Sequence, residues 1–215
     1  MNDICEKINT VFNKDIASCV SKSIKIYEAD EGATLKEFEI LNENSIVIDN
    51  EILDHCNRVF KDNNSKLSLN TGCDGIILTK IKDEWCLVVI ELKSSFTTNA
   101  IRKAKNQLQS TYPKVAMILS MVDVSIPIKN LKVVGFIISK KPTAEKKSNI
   151  LKRASIDIKP CIEKVCRKFI TKGEYLFDKG DYLGFLPLRD DYCFDEMIVH
   201  YIDSDKLSFN LSSYL

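Results

Sequence analysis

The stretch TGCDGIILTKIKDEWCLVVIELKSSF, Thr71 to Phe96, decides how this chain folds. Gly75 to Ile81 and Trp85 to Lys93 are each rich in β-branched and aromatic residues, and the polar break Lys82-Asp83-Glu84 between them predicts the tip of a hairpin. Two antiparallel strands joined there return Asp74, at the head of the first, to the neighbourhood of Glu91-Leu92-Lys93 at the tail of the second. Alternation puts Glu91 and Lys93 on one face and Leu92 on the other. The residues leave the register open: Asp74 shares the face of Glu91 only if the turn, or a bulge at Gly75, gives it Glu91 or Lys93 as its opposite neighbour.

Two carboxylates and an ammonium at the end of an apolar hairpin carry a desolvation cost that a hard divalent cation would offset. Magnesium takes oxygen ligands, usually one or two carboxylates with waters and substrate phosphates. Here Asp74, Glu91 and the Leu92 backbone carbonyl are the candidates, with Lys93 facing a metal-bound water. This pattern resembles the PD-(D/E)XK nuclease superfamily, the restriction-endonuclease-like fold, whose signature is an Asp on one strand and (Asp/Glu)-x-Lys on its hairpin neighbour. The resemblance covers roughly residues 50 to 140, and Cys73 stands where the often-quoted Pro would precede the Asp.

What the resemblance implies is an α/β fold with a mixed central sheet and flanking helices, its core ordered α-β-β-β-α-β. It implies Mg2+- or Mn2+-dependent hydrolysis of phosphodiester bonds, with duplex DNA as the default substrate. The catalytic set would be Asp74, Glu91, Lys93 and Gln107, because several branches of the superfamily place a Gln on the following helix beside the catalytic Lys. Members often add an acidic residue from a helix before the hairpin; Glu51 is the candidate, with Glu28, Glu31 and Glu39 as rivals. Two alternatives stand beside this reading. Glu91 and Lys93 would simply form an edge-strand ion pair beside a capping Asp74, or the chain would be a catalytically inactive nuclease-fold subunit that binds nucleic acid or assembles with a partner.

Around the hairpin, the periodicity of residues 3 to 22 predicts one amphipathic helix, residues 24 to 49 alternate only briefly, and Glu51 to Phe60 reads as a short helix capped by Asn50. Thr97 and Thr98 offer a cap for a helix whose buried stripe is Ile101, Ala104, Leu108 and Tyr112. Pro113 then opens a second helical or extended apolar segment, and residues 131 to 141 read as a buried strand. Ile162 to Ile170 mark another amphipathic helix, and the last 40 or so residues a strand-and-turn cap. One compact domain is expected: an N-terminal helix and acidic extension over residues 1–50, a nuclease-like core over 51–156, and a C-terminal helix and acidic cap over 157–215.

The net charge of +1 conceals an uneven distribution. Residues 1–60 carry 6 Lys and Arg against 12 Asp and Glu, residues 61–172 carry 22 against 9, and residues 173–215 carry 3 against 9. A basic middle containing the hairpin suits a phosphate-backbone ligand, and Arg102, Lys103, Lys140, Lys141, Lys146 and Lys147 are the candidate contacts. The acidic ends, with the N-terminal helix, are the candidate surfaces for a homodimer or a partner protein. No apolar run reaches membrane-spanning length and no signal-peptide pattern opens the chain, which predicts a cytoplasmic protein that does not engage a membrane. Eight cysteines without a C-x-x-C pair, helped by only two histidines, argue against zinc and read as free thiols packed as small hydrophobes.

Overall fold

The apolar runs flanking Lys82-Asp83 form the two central strands of the molecule, in a computed structural model that describes residues 1–12, 15–28, 31–58, 60, 69–122, 124–156, 162–178, 188–206 and 208–215. In chain order the elements are α1 (Asn2–Val11), β1 (Ala17–Val20), β2 (Ser23–Tyr27), β3 (Glu37–Leu41), β4 (Ser45–Ile48), α2 (Glu51–Asn57), β5 (Gly75–Ile81), β6 (Glu84–Lys93), α3 (Thr98–Ser120), β7 (Lys132–Ser139), α4 (Ala144–Ile156), α5 (Ile162–Lys172), β8 (Glu174–Asp178), β9 (Glu196–Asp203) and β10 (Ser208–Asn210). The architecture is mixed α/β. Seven strands form one sheet in the order β1-β4-β5-β6-β7-β9-β8, and β10-β3-β2 form a second. Neighbours in the large sheet are antiparallel except β6-β7 and β7-β9, which are parallel.

The hairpin turn is tighter than the sequence suggests. Ile81 pairs with Glu84, so only Lys82 and Asp83 make the turn, both at positive φ (48° and 69°), as a two-residue type I′ connection requires. That turn sets the register. Gly75 pairs with Ile90, and one step further along the same ladder Asp74 stands opposite Glu91.

Period-2 alternation then divides the central strands between two cores. Ile76, Leu78, Leu87, Val89, Val133 and Ile137 pack with α1, α3 and α5 on one face. Ile77, Val88, Ile90, Leu92, Val134 and Phe136 pack on the other against Ile24, Ile26, Phe38, Ile40 and Phe209 of the small sheet. Because both faces are covered, the strands read as nearly continuous apolar runs. The three layers are therefore helices, large sheet and small sheet.

Several expectations are corrected by the structure. The helix predicted over residues 3–22 stops at Val11, and Ala17–Val20 leaves it to pair with β4. The Asn9 side chain fixes that departure, donating to the Ala17 carbonyl and accepting from the Ala17 N–H, each at 2.8 Å. Pro113 opens no new segment, because α3 runs through it to Ser120 with the proline inside. At α2 the Asn50 side chain makes no cap bond; Asp49 Oδ1 accepts from the Glu51 N–H at 2.9 Å instead. The C-terminal residues are more than a cap: β9 lies within the large sheet, parallel to β7, and β10 pairs in parallel with β3.

Candidate metal centre

Asp74 and Glu91 meet at one end of the helix-side face, just beyond Ile76 on β5 and Val89 on β6. Three contacts set the aim of Asp74. Its Oδ2 accepts from the Leu92 N–H at 2.7 Å, its carbonyl accepts from Asn50 Nδ2 at 3.2 Å, and its predecessor Cys73 gives its N–H to Thr111 Oγ1 of α3 at 3.1 Å. Leu92 thus brings its N–H to the site, while its side chain is buried in the opposite core.

Glu91 has no exposed surface. Its Oε1 accepts from Lys93 Nζ, and its Oε2 is buried with no hydrogen-bond partner. The third carboxylate comes from the other layer. Alternation along β2 turns Ile24 and Ile26 onto the large sheet, and Glu28, next in that series, reaches the hairpin end so that one ligand oxygen each of Glu28, Asp74 and Glu91 lies within 4.8 Å of the others. Gly75 makes the approach of β2 feasible, since a Cβ there would lie 2.5 Å from Ile26 Cδ1.

Crowding of acids in a largely buried site shows in their proton affinities. Burial raises Asp74 to about 7, the Leu92 N–H opposing and the Glu28 charge adding to the rise. Burial and then the Asp74 charge push Glu91 well above the usual carboxylate range. For Lys93 burial acts downward, yet the neighbouring Glu91 outweighs it and the ammonium ends above its ordinary value.

Each residue named from the sequence has a place. Asp74, Glu91 and Lys93 come together. Gln107 lies on α3, but its Nε2 donates to the Gly72 carbonyl at 3.0 Å, so it holds the segment leading to Asp74 rather than Lys93. Glu51 is exposed at the start of α2 and is not part of the acidic cluster; Glu28 takes the position expected of it. The reason is topological, because the cluster's third carboxylate arrives just beyond the end of β2 and not on the preceding helix.

The basic candidates gather at the same sheet end. Ser139 pairs with Lys93 across β6-β7, so Lys140 and Lys141 leave the sheet beside the site, followed by exposed Lys146 and Lys147 on α4. Exposed Arg102 and Lys103 lie near the start of α3, whose N-terminus follows β6 closely and whose Thr97 cap accepts from the Ala100 N–H at 3.1 Å. Lys141 is the exception in this group, because it is tied to Asp203 at 2.8 Å. No helix among the described residues is long and apolar enough to cross a membrane. Comparison with protein-family models, with curated proteins and with solved structures finds no match to this chain.

Proposed function

We propose that this protein is a metal-dependent nuclease of the PD-(D/E)XK type, with Mg2+ or Mn2+ held by Asp74, Glu91 and Glu28. The observation that carries the reading is the bare Glu91 Oε2: a wholly buried carboxylate oxygen without a hydrogen-bond donor, in a cluster whose other acids lie at ligand spacing. A buried anion left in that state is costly, and a divalent cation satisfies it. The succession β5, β6, α3, β7 supports the same family, while the third strand of the expected α-β-β-β-α-β order, β4 (Ser45–Ile48), comes from the segment before residue 51 and not from the expected 51–156 core.

When bound, the ion supplies a water of lowered pKa and neutralises charge that develops on the phosphate. The chain's own groups do the rest. Asp74 is aimed by the Leu92 N–H and Glu91 by Lys93, so the ligand oxygens are set before substrate arrives. Lys93 carries its proton at neutral pH in the metal-free protein. Its work in the cleft is to orient the attacking water and to donate to the phosphate oxygens, which favours hydrolysis over mere binding. Arg102, Lys103, Lys140, Lys146 and Lys147 supply the backbone contacts, with duplex DNA as the default ligand.

The test is to incubate plasmid, single-stranded DNA and RNA with the protein in magnesium, manganese or EDTA. Cleavage that needs the metal and is lost in Asp74→Asn supports the proposal. Binding without cleavage of any substrate shifts the reading to a catalytically inactive nuclease-fold subunit.

A further inference from the structure

Lys114 lies in the middle of α3 with no exposed surface, among residues that are otherwise core. Its ammonium donates to the Asn57 side-chain oxygen at 2.6 Å and to the Thr71 carbonyl, both neutral acceptors. A lysine so placed carries a large desolvation cost, and burial pulls it down to about 8 despite opposing influences from Cys73, Cys56 and Asp54. A methionine would fill similar volume without that cost, so the charge calls for an explanation.

The explanation lies in what the rest of this helix face holds. Gln107, Ser110, Thr111 and Lys114 are spaced i, i+3, i+4 and i+7, one stripe along α3. Gln107 donates to the Gly72 carbonyl at 3.0 Å, Ser110 Oγ to the Thr71 carbonyl at 2.5 Å, and Thr111 accepts from the Cys73 N–H at 3.1 Å. Ser110 and Thr111 also donate to the Gln107 carbonyl of α3 itself; outside that helix, the backbone groups these four side chains engage belong to residues 71 to 73, the three that lead into Asp74. Lys114 alone also reaches Asn57 at the end of α2, joining that helix to the clamp.

We infer that Lys114 is the positioning residue for Asp74, locking residues 71–73 onto α3 so that the Asp74 carboxylate meets Glu91 and Glu28 at ligand distance. This rests on the reading of Asp74 as a metal ligand. The lysine touches neither substrate nor ion; it acts through the backbone of its neighbours.

The experiment compares the parent protein with Lys114→Met, Asn57→Ala and Asp74→Asn, using Mn2+ alone as the probe. Calorimetry gives the Mn2+ affinity, hydrogen exchange reports the Cys73 and Asp74 amides, and thermal unfolding reports stability. The expected result is that Lys114→Met and, more weakly, Asn57→Ala exchange those amides faster and bind Mn2+ about tenfold less tightly at a temperature where both remain folded. If Lys114→Met does not fold, Asn57→Ala decides. Lower thermal stability with unchanged amide exchange and unchanged Mn2+ affinity overturns the inference, leaving the lysine a packing residue. If the parent itself fails to bind Mn2+ in a way that needs Asp74, the metal reading falls, and the exchange data then decide the clamp alone: faster exchange at 73 and 74 upholds it, unchanged exchange removes it.

Discussion

A carboxylate without accessible surface is stable only if its oxygens are met by donors or cations, and at Glu91 one oxygen has Lys93 while the other has none. The consequences can be measured one side chain at a time. Lys93→Ala leaves Asp74, Glu91 and Glu28 in place, so metal should still bind while cleavage falls by about 10² to 10³, the usual worth of one preorganised donor to developing charge. Single-turnover rates at saturating substrate, set beside the dissociation constant for the same DNA, check this. The site also predicts an inverted pH dependence of stability in chelator. Asp74 holds its proton to about 7 when folded but only to about 3.9 when unfolded, so between those values the folded state binds more protons and stability falls as pH rises. This one carboxyl contributes at most about 1.4 kcal/mol per pH unit over that window, and Glu91 adds in the same direction. Urea unfolding from pH 4.5 to 7.5 should show the slope, with Asp74→Asn or saturating Mg2+ flattening it.

Among the elements, β2 carries the part of the site that helix periodicity does not anticipate. It crosses the large sheet at Gly75, and its end delivers Glu28. Gly75→Ala would drive a methyl group to within 2.5 Å of Ile26 Cδ1, so the Ile26 side chain of β2 must move. Overpacking of this kind costs about 1–3 kcal/mol. The expected outcome is a lower denaturation midpoint from the repacked Ile26; weaker Mn2+ binding beside it would show that β2 moves too and takes Glu28 with it. Glu28→Gln should weaken Mn2+ binding without the loss of stability, whereas Glu51→Gln, on exposed α2, should leave metal affinity unchanged. Calorimetric titration of the three variants distinguishes the strand from the helix as the source of the third ligand.

At the scale of the whole molecule, parallel pairing of β6 with β7 brings the lysines that follow Ser139 to the same sheet end as Lys93 and the start of α3. Nucleic-acid affinity should therefore fall linearly in log–log form with salt, and each lysine that contacts phosphate should contribute about 0.9 to the slope. Replacing Lys140, Lys146 and Lys147 with Ala should flatten that slope and leave the rate at saturation unchanged, while Lys141→Ala, already paired with Asp203, should change it less. The same contrast between near and far separates what was legible in the residues from what was not. The hairpin, the return of Asp74 to the neighbourhood of Glu91 and Lys93, the Thr97 cap and the Ile101-Ala104-Leu108-Tyr112 stripe follow from alternation, turn chemistry and helical spacing, while the face that Asp74 takes depends on the register of the turn. Tertiary structure alone decided that α1 yields to a strand at Ala17, that α3 passes through Pro113, and that β9 enters the large sheet. It likewise decided that Glu28 rather than Glu51 completes the acidic cluster and that a buried lysine faces residue 71. Ala17 and β9 depend on strands distant in the chain, β4 and β7, and periodicity records which face of an element is apolar without recording what covers it.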